Sequence, residues 1–454
     1  MGFRLVAVNE SEDISEPTVN RRGVRVWTDP RYRRWLLFSV LALTFLLVNI
    51  YRLSTAVIVE PLMATFRITG AELGVIHAMF FFIYAIMQIP TGVLVDRIGP
   101  RKTAASGAIV MNVGAVWFTL AAAYGSALGA RFLIGLGGSV IFVSMLRFAA
   151  NWYDPAEFST MNGVCFAVGG IGGILATTPF AYAVSIAGWE RAIQTFAVIG
   201  LGIAILTVVV VRDTPAAAGF DPTFGGGAGA PLTITEIRDQ IGFVLRDPWV
   251  IVASVILFSG SGIYLTIIGL WGIPFIVQVY DTSVGFASLF TLIGGAGMVI
   301  GPPTIGWFAG RFGRRPQIVI LGGGVYTCAL GLIAFMGEPP LFVVAIAYLL
   351  IGIFLGAFVV TYPLVKERHP LRASGIALGT INGAAFFGAS VIPTVMGYIL
   401  DEYWTGEIVR GARVYTQTGY RVAFGLAALA AATTILGGLW LHYHVRKADD
   451  ITYG

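Results

Sequence analysis

Long apolar runs alternate with short polar breaks along this chain of 454 residues. Twelve runs reach the roughly 20 residues that a helix needs to cross a bilayer. They lie near 35–59, 73–95, 103–123, 127–150, 160–183 and 192–211, then near 249–278, 284–309, 317–336, 340–364, 373–399 and 420–443. Gly and Pro interrupt several runs without ending them, as membrane helices allow. The pattern predicts an all-α polytopic membrane protein with twelve transmembrane helices, and no credible strand. Polar stretches at 1–34, 212–248 and 444–454 frame two bundles of six helices, at 35–211 and 249–443.

The two halves echo each other. Gly92 to Lys102 reads GVLVDRIGPRK, and 214 residues later Gly306 to Arg315 reads GWFAGRFGRR. Thr69 and Ser283, each at a helix start, share that spacing, as do Pro179 and Pro393; Pro155 and Pro370 are 215 apart. GWERA at 188–192 returns as GYRVA at 419–423, displaced by an inserted loop, DEYWTGEIVRGARVYTQT. The chain therefore reads as a parallel repeat of one six-helix unit. The break at 212–248 contains a flexible GGGAGAP run. Beyond it, Thr233 and Glu236 have capping-box spacing, with Ile237, Ile241, Val244 and Leu245 on one face. Two readings stand here: an amphipathic helix on the cytoplasmic membrane surface, or a plain tether.

Composition agrees. The chain is 57% hydrophobic and 12% charged, with mean hydropathy +0.81, whereas soluble domains carry about 25% charge. Positive charge sets the orientation: with the N-terminus inside, 21 of 29 Lys and Arg fall in cytoplasmic segments and five in outside loops. Both termini are expected inside, and the pI near 9.2 reports topology rather than a nucleic-acid partner. The first 34 residues lack the short apolar core of a signal peptide and read as a cytoplasmic tail. Cys165 and Cys328 lie in apolar helices of different halves, which argues against a disulfide or a metal site. No cofactor is expected.

The duplicated G-x-x-x-D-R-x-G-x-R-K turn, and RFLIGLGG at 131–138 on helix 4, resemble the signatures of the major facilitator superfamily. The resemblance covers about 35 to 443 and implies the major facilitator fold. Substrate would bind between two bundles that rock to expose it alternately. It assigns gating to Gly92, Asp96, Arg97, Gly99, Arg101 and Lys102, and to Gly306, Arg311, Gly313, Arg314 and Arg315. One departure stands out. Gly310 occupies the place of the second acidic residue, so weaker gating charge pairs are expected there. Helix 5, with GGIGG at 169–173, does not match the motif of the family's antiporters.

Charge inside the membrane is rare and costly, so it marks candidate chemistry. Arg52, in NIYRLST on helix 1, reads as an anion anchor, because guanidinium matches carboxylate or phosphate. The segment resembles helix 1 of the superfamily's organic-anion symporters. The competing reading is a structural arginine paired with Glu60. Arg131 supports substrate binding or coupling, or else snorkels. Arg147 reads as a gate residue near Asp96, Asp154 and Glu157. His77 is the candidate for proton coupling, since imidazole titrates near roughly pH 6.5, and packing is its other role. Tyr264, Trp271, Tyr362 and Asn382 are expected to line the substrate cavity, with Tyr84 and Gln88 similar to them. Gly375, Gly379 and Gly383 make a small-residue ridge for close helix contact.

No Asp or Glu falls in the middle of a predicted helix, whereas exporters of cations need such a carboxylate. The leading expectation is symport of a small organic anion with protons, by a monomeric carrier in the lipid bilayer of the cell. The alternatives are an exporter or exchanger of amphipathic or zwitterionic compounds, and a transporter-like solute sensor. No nucleophile–base pair, metal cluster or phosphate loop argues for an enzyme.

Overall fold

The computed structural model describes residues 29–220, 240–369 and 371–453. Residues 1–28 of the tail expected at 1–34, the glycine run and the Thr233–Glu236 cap lie outside them, and the last residues of that tail are helical from Pro30 on. Twelve helical spans follow in order: α1 (Pro30–Phe66), α2 (Gly70–Ile86 with Gln88–Ile98), α3 (Pro100–Leu120), α4 (Tyr124–Trp152), α5 (Pro155–Leu175 with Thr178–Ala187) and α6 (Trp189–Val210). The second half holds α7 (Pro248–Tyr280), α8 (Val284–Phe312), α9 (Arg315–Met336), α10 (Leu341–Arg368), α11 (Leu371–Glu402) and α12 (Gln417–Tyr453). α2 bends by 55° between its pieces and α5 by 41°. Several starts follow from the local sequence. Asp29 caps α1 ahead of Pro30, Thr69 and Glu72 form a capping box on α2, and Asp247 caps α7 ahead of Pro248.

α3 packs on α4 and α6, and α1 on α5, within the first bundle. In the second, α8 packs on α10, α9 on α12, and α7 on α11. The bundles meet along α2–α11 and α5–α8, and where α1 touches α7. Both α1 and α7 break at that last contact: α1 tightens to a 3₁₀ turn at Ser54–Ile58, and α7 loosens to a π turn at Ile267–Trp271. The breaks occupy near-equivalent positions of the two halves.

The structure corrects three expectations. The inserted loop contains a hairpin, β1 (Trp404–Val409) antiparallel to β2 (Ala412–Tyr415). Its two-residue turn has Arg410 and Gly411 both at positive φ, 51° and 82°, the geometry that matches strand twist. α1 continues to Phe66 rather than ending near 59, because the turn at Ser54 bends the helix without stopping it. α12 continues to Tyr453, past the expected end near 443. Residues 240–244 are helical, with Val244 buried, Ile241 half-buried, and Leu245 exposed just beyond.

Candidate functional site

The two seams between the bundles are V-shaped, and glycines gauge the gap. At one end α2 and α11 are in backbone contact: a Cβ on Gly74 would sit 2.7 Å from Thr394 Cα. Along α11 towards the other end, a Cβ on Gly383 would lie 3.4 Å from Ala85 O, and one on Gly379 3.5 Å from Ile89 Cγ1. One on Gly375 would meet nothing within 4 Å. α5 and α8 behave alike: Ser288 Oγ donates to Thr178 Oγ1 at 3.1 Å, while Gly163 and Gly306 face open space. Both seams thus part toward the end that carries the α2–α3 and α8–α9 turns, and are closed at the end that carries the hairpin.

Arg52 lies where the α2–α11 seam begins to part. It is 9% exposed, and its Nη1 donates to Asn49 Oδ1 at 3.2 Å. Three rings surround its guanidinium carbon: Tyr84 at 4.9 Å, Phe386 at 5.1 Å and Phe80 at 5.8 Å. Tyr84 of α2 and Phe386 of α11 touch across the seam, 4.4 Å between centroids. The Nε and Nη2 of Arg52 are buried with no partner, and no carboxylate among the described residues pairs with it, Glu60 included. A desolvated cation against aromatic faces is stabilised by them by about 2 kcal/mol or more. That does not replace the hydration lost on burial.

One helical turn toward the open end, a polar chain crosses the same seam. Tyr362 of α10 donates to Asn382 Oδ1 at 2.6 Å, and Asn382 Nδ2 of α11 donates to Gln88 Oε1 of α2 at 2.7 Å. Gln88 Nε2 donates back to Tyr84 O at 3.1 Å. These amides and hydroxyl are half-buried beside the ring pair and offer both donors and acceptors.

The other expected residues fall elsewhere. Arg131 is inside the first bundle, where its Nε donates to Ile76 O at 3.3 Å and its Nη1 to Tyr51 O at 3.1 Å. It braces α1 just before its break, and it does not snorkel, because it is buried about two turns into α4. Trp271 was expected at the cavity. It is instead fully buried, its indole N–H donating to Pro393 O at 2.9 Å in the second bundle. Tyr264 is also buried there, its hydroxyl without a partner. His77 is wholly buried about two turns into α2, with both ring nitrogens unpartnered. It faces the other bundle, since a Cβ on Gly269 would lie 3.3 Å from its Cε1.

The turns at the open end are anchored within their own bundles. Asp96 Oδ1 lies 3.4 Å from Arg147 Nη2. Gly99, at φ +91°, lets the chain turn against Asp213, whose Oδ1 accepts from Arg101 N at 2.6 Å. Arg97 and Lys102 are exposed. In the second copy, Gly306, Gly313, Arg311 and Arg314 are exposed, and Arg315 Nη1 holds both oxygens of Glu367 at 2.7 and 2.8 Å. The second pair is therefore the tighter one, against expectation. Its acid comes from α10, so the polarity of the pair is reversed relative to Asp96–Arg147.

Sequence reasoning missed Asn49, Phe80 and Phe386. Asn49 carried a signal, three residues before Arg52 on one helix face. The rings carried none, since only the fold brings α11 to α1.

Two six-helix bundles that meet along two seams, with a buried polar cluster between them, have the architecture of a membrane carrier. The Major Facilitator Superfamily model matches residues 37–275 and 266–451, and the chain belongs to that family of transporters. It is 24% identical over 405 residues to the D-galactonate transporter of Escherichia coli O6:H1, covering 82% of this chain and 91% of that one. It is 25% identical over 346 residues to the gentisate transporter of Corynebacterium glutamicum, covering 74% of each. A bacterial homologue of the human lysosomal transporter Spinster, solved inward-facing and unoccupied, superposes with a TM-score of 0.68 at 17% identity. That match covers 89% of this chain and 97% of the other.

Proposed function

We infer that this chain moves a small organic anion across the cell membrane by alternating access, with Arg52 holding the anion's charge. The observation that carries the reading is the buried guanidinium of Arg52, with two unpartnered nitrogens and no acid beside it among the described residues. A carboxylate meeting that fork gains charge-assisted hydrogen bonds and relieves an uncompensated buried cation. The Gln88–Asn382–Tyr362 chain, one turn away, suits hydroxyl or carbonyl groups on the same molecule. Relatives named for D-galactonate and gentisate support the class.

The termini lie in the cytoplasm in this reading, and the cavity opens inward. An anion entering a negative cell is opposed by about 2.3 kcal/mol per charge per 100 mV, so uptake needs co-transported cations, most simply protons. His77 is the titratable side chain placed to carry one. Exchange of one anion for another is the second reading, favoured by the lack, among the described residues, of any acid paired with Arg52.

A thermal-shift screen of small organic anions on the purified protein and on Arg52→Ala tests the site. Selected anions should raise the melting temperature of the wild type and leave the variant unmoved. A wild type that answers to no anion, or a variant that answers equally, removes the anion reading. Counterflow in proteoliposomes with and without an imposed proton gradient separates symport from exchange.

A further inference from the structure

At the closed end, the two bundles are joined through one carboxylate. Asp401, near the end of α11, accepts hydrogen bonds from Gly70 N and Ala71 N in the first turn of α2, each at 2.8 Å. The same carboxylate receives Arg413 Nη1 at 3.1 Å and the Tyr415 hydroxyl at 3.3 Å, both from β2. α2 already has its own cap in Thr69 and Glu72, so Asp401 is not needed to start that helix. It serves the seam.

The hairpin is itself held. Gln278 of α7 donates to Arg413 O at 3.1 Å, and its Oε1 accepts from Tyr415 N at 3.0 Å. At the tip, Gly411 packs against Ala64 of α1 so closely that a Cβ there would overlap it. Burial, and then the neighbouring Asp401 carboxylate, push the Tyr415 phenol well above its ordinary range, so it remains a donor. The strap therefore spans α1 and α7 while aiming two donors at one acid on α11. Alternating access requires these bundles to separate here.

We propose that Asp401 is the latch of the closed end, and that the α11–α12 hairpin is a positioning strap that keeps its carboxylate on the α2 N-terminus. An anion is stabilised at a helix N-terminus by the exposed N–H groups and the helix dipole. The α2 side of this latch is backbone alone. It therefore differs from an ion pair, because no side-chain charge on α2 takes part, and the donors are lost only where proline removes an N–H. What α2 must supply is room: a Cβ on Gly70 would press on Tyr415 Oη and lie 3.2 Å from Asp401 Oδ1.

The test uses the full chain in proteoliposomes, with Cys165→Ser and Cys328→Ser as background and Thr394→Cys as reporter in the seam opposite Gly74. Asp401→Asn keeps the shape and removes the charge. It should raise labelling by a water-soluble maleimide about tenfold, as loss of charge-assisted hydrogen bonds predicts. It should also lower the half-saturating substrate concentration on the hairpin side together with the maximal rate. Gly70→Ala should open the same seam by steric pressure, and Arg413→Ala should act in the same direction with a smaller effect. Labelling of Asp401→Asn at the wild-type rate, in protein that elutes as a single species, overturns the proposal. So does a lowered melting temperature with unchanged labelling, which is what a purely structural role gives. Should Asp401→Asn fail to fold, Gly70→Ala decides alone: fast labelling supports the latch and wild-type labelling overturns it.

Discussion

His77 presents a residue-scale problem. A buried imidazole with neither nitrogen satisfied costs about 1–3 kcal/mol, which packing alone does not explain, since an apolar side chain would fill the space without that penalty. Its position against Gly269, on the other bundle, means that any movement of the bundles against each other would change its surroundings. If it carries the proton, His77→Gln should leave counterflow intact and abolish stimulation by a proton gradient. If it only packs, gradient stimulation should survive and His77→Leu should raise the melting temperature. Uptake assays and calorimetry on the two variants distinguish the outcomes. Arg52 was legible, with Arg131 and Arg147, as an intramembrane cation, because charge at that depth stands out against apolar neighbours. Its aromatic surround was not, because Phe80 and Phe386 look like any lipid-facing or core residue until the bundles are assembled.

Helices were legible to a different degree. Their number and approximate places follow from apolar run length, and the repeat from its punctuating turns. The hairpin was hidden because β1 and β2 are six and four residues long and sit in a polar insertion, where strand alternation is too brief to register. Within the second bundle, α8 and α10 approach through glycine: a Cβ on Gly297 would lie 2.5 Å from Leu349 O, and Gly352 is pressed on the backbone of Gly294. Such contacts leave no room for a side chain. Gly352→Val should lower stability by about 1–3 kcal/mol or prevent assembly, read as a fall in melting temperature of detergent-solubilised protein. The same substitution at Gly306, which faces open space, should be close to neutral.

At the scale of the whole molecule, symmetry and asymmetry divide the work. The breaks in α1 and α7 are paired, and so are the turns at the open end, but the ion pairs on those turns run in opposite senses: Asp96 to Arg147 in one half, and Arg315 to Glu367 in the other. Each pair closes within its own bundle, and neither crosses the seam between the bundles. The buried guanidinium of Arg52 belongs to one bundle only, and its charge is permanent. That has an electrical consequence. A singly charged anion makes the occupied site neutral, while the vacant site keeps one elementary charge. If Arg52 holds the anion and no proton crosses with it, as in the exchange reading, membrane voltage should act chiefly on the step in which the empty carrier resets. Rapid solution exchange on a solid-supported membrane should record a transient current during that reset. The current should vanish in Arg52→Gln, and in the native protein the voltage should govern turnover while hardly touching the loaded crossing.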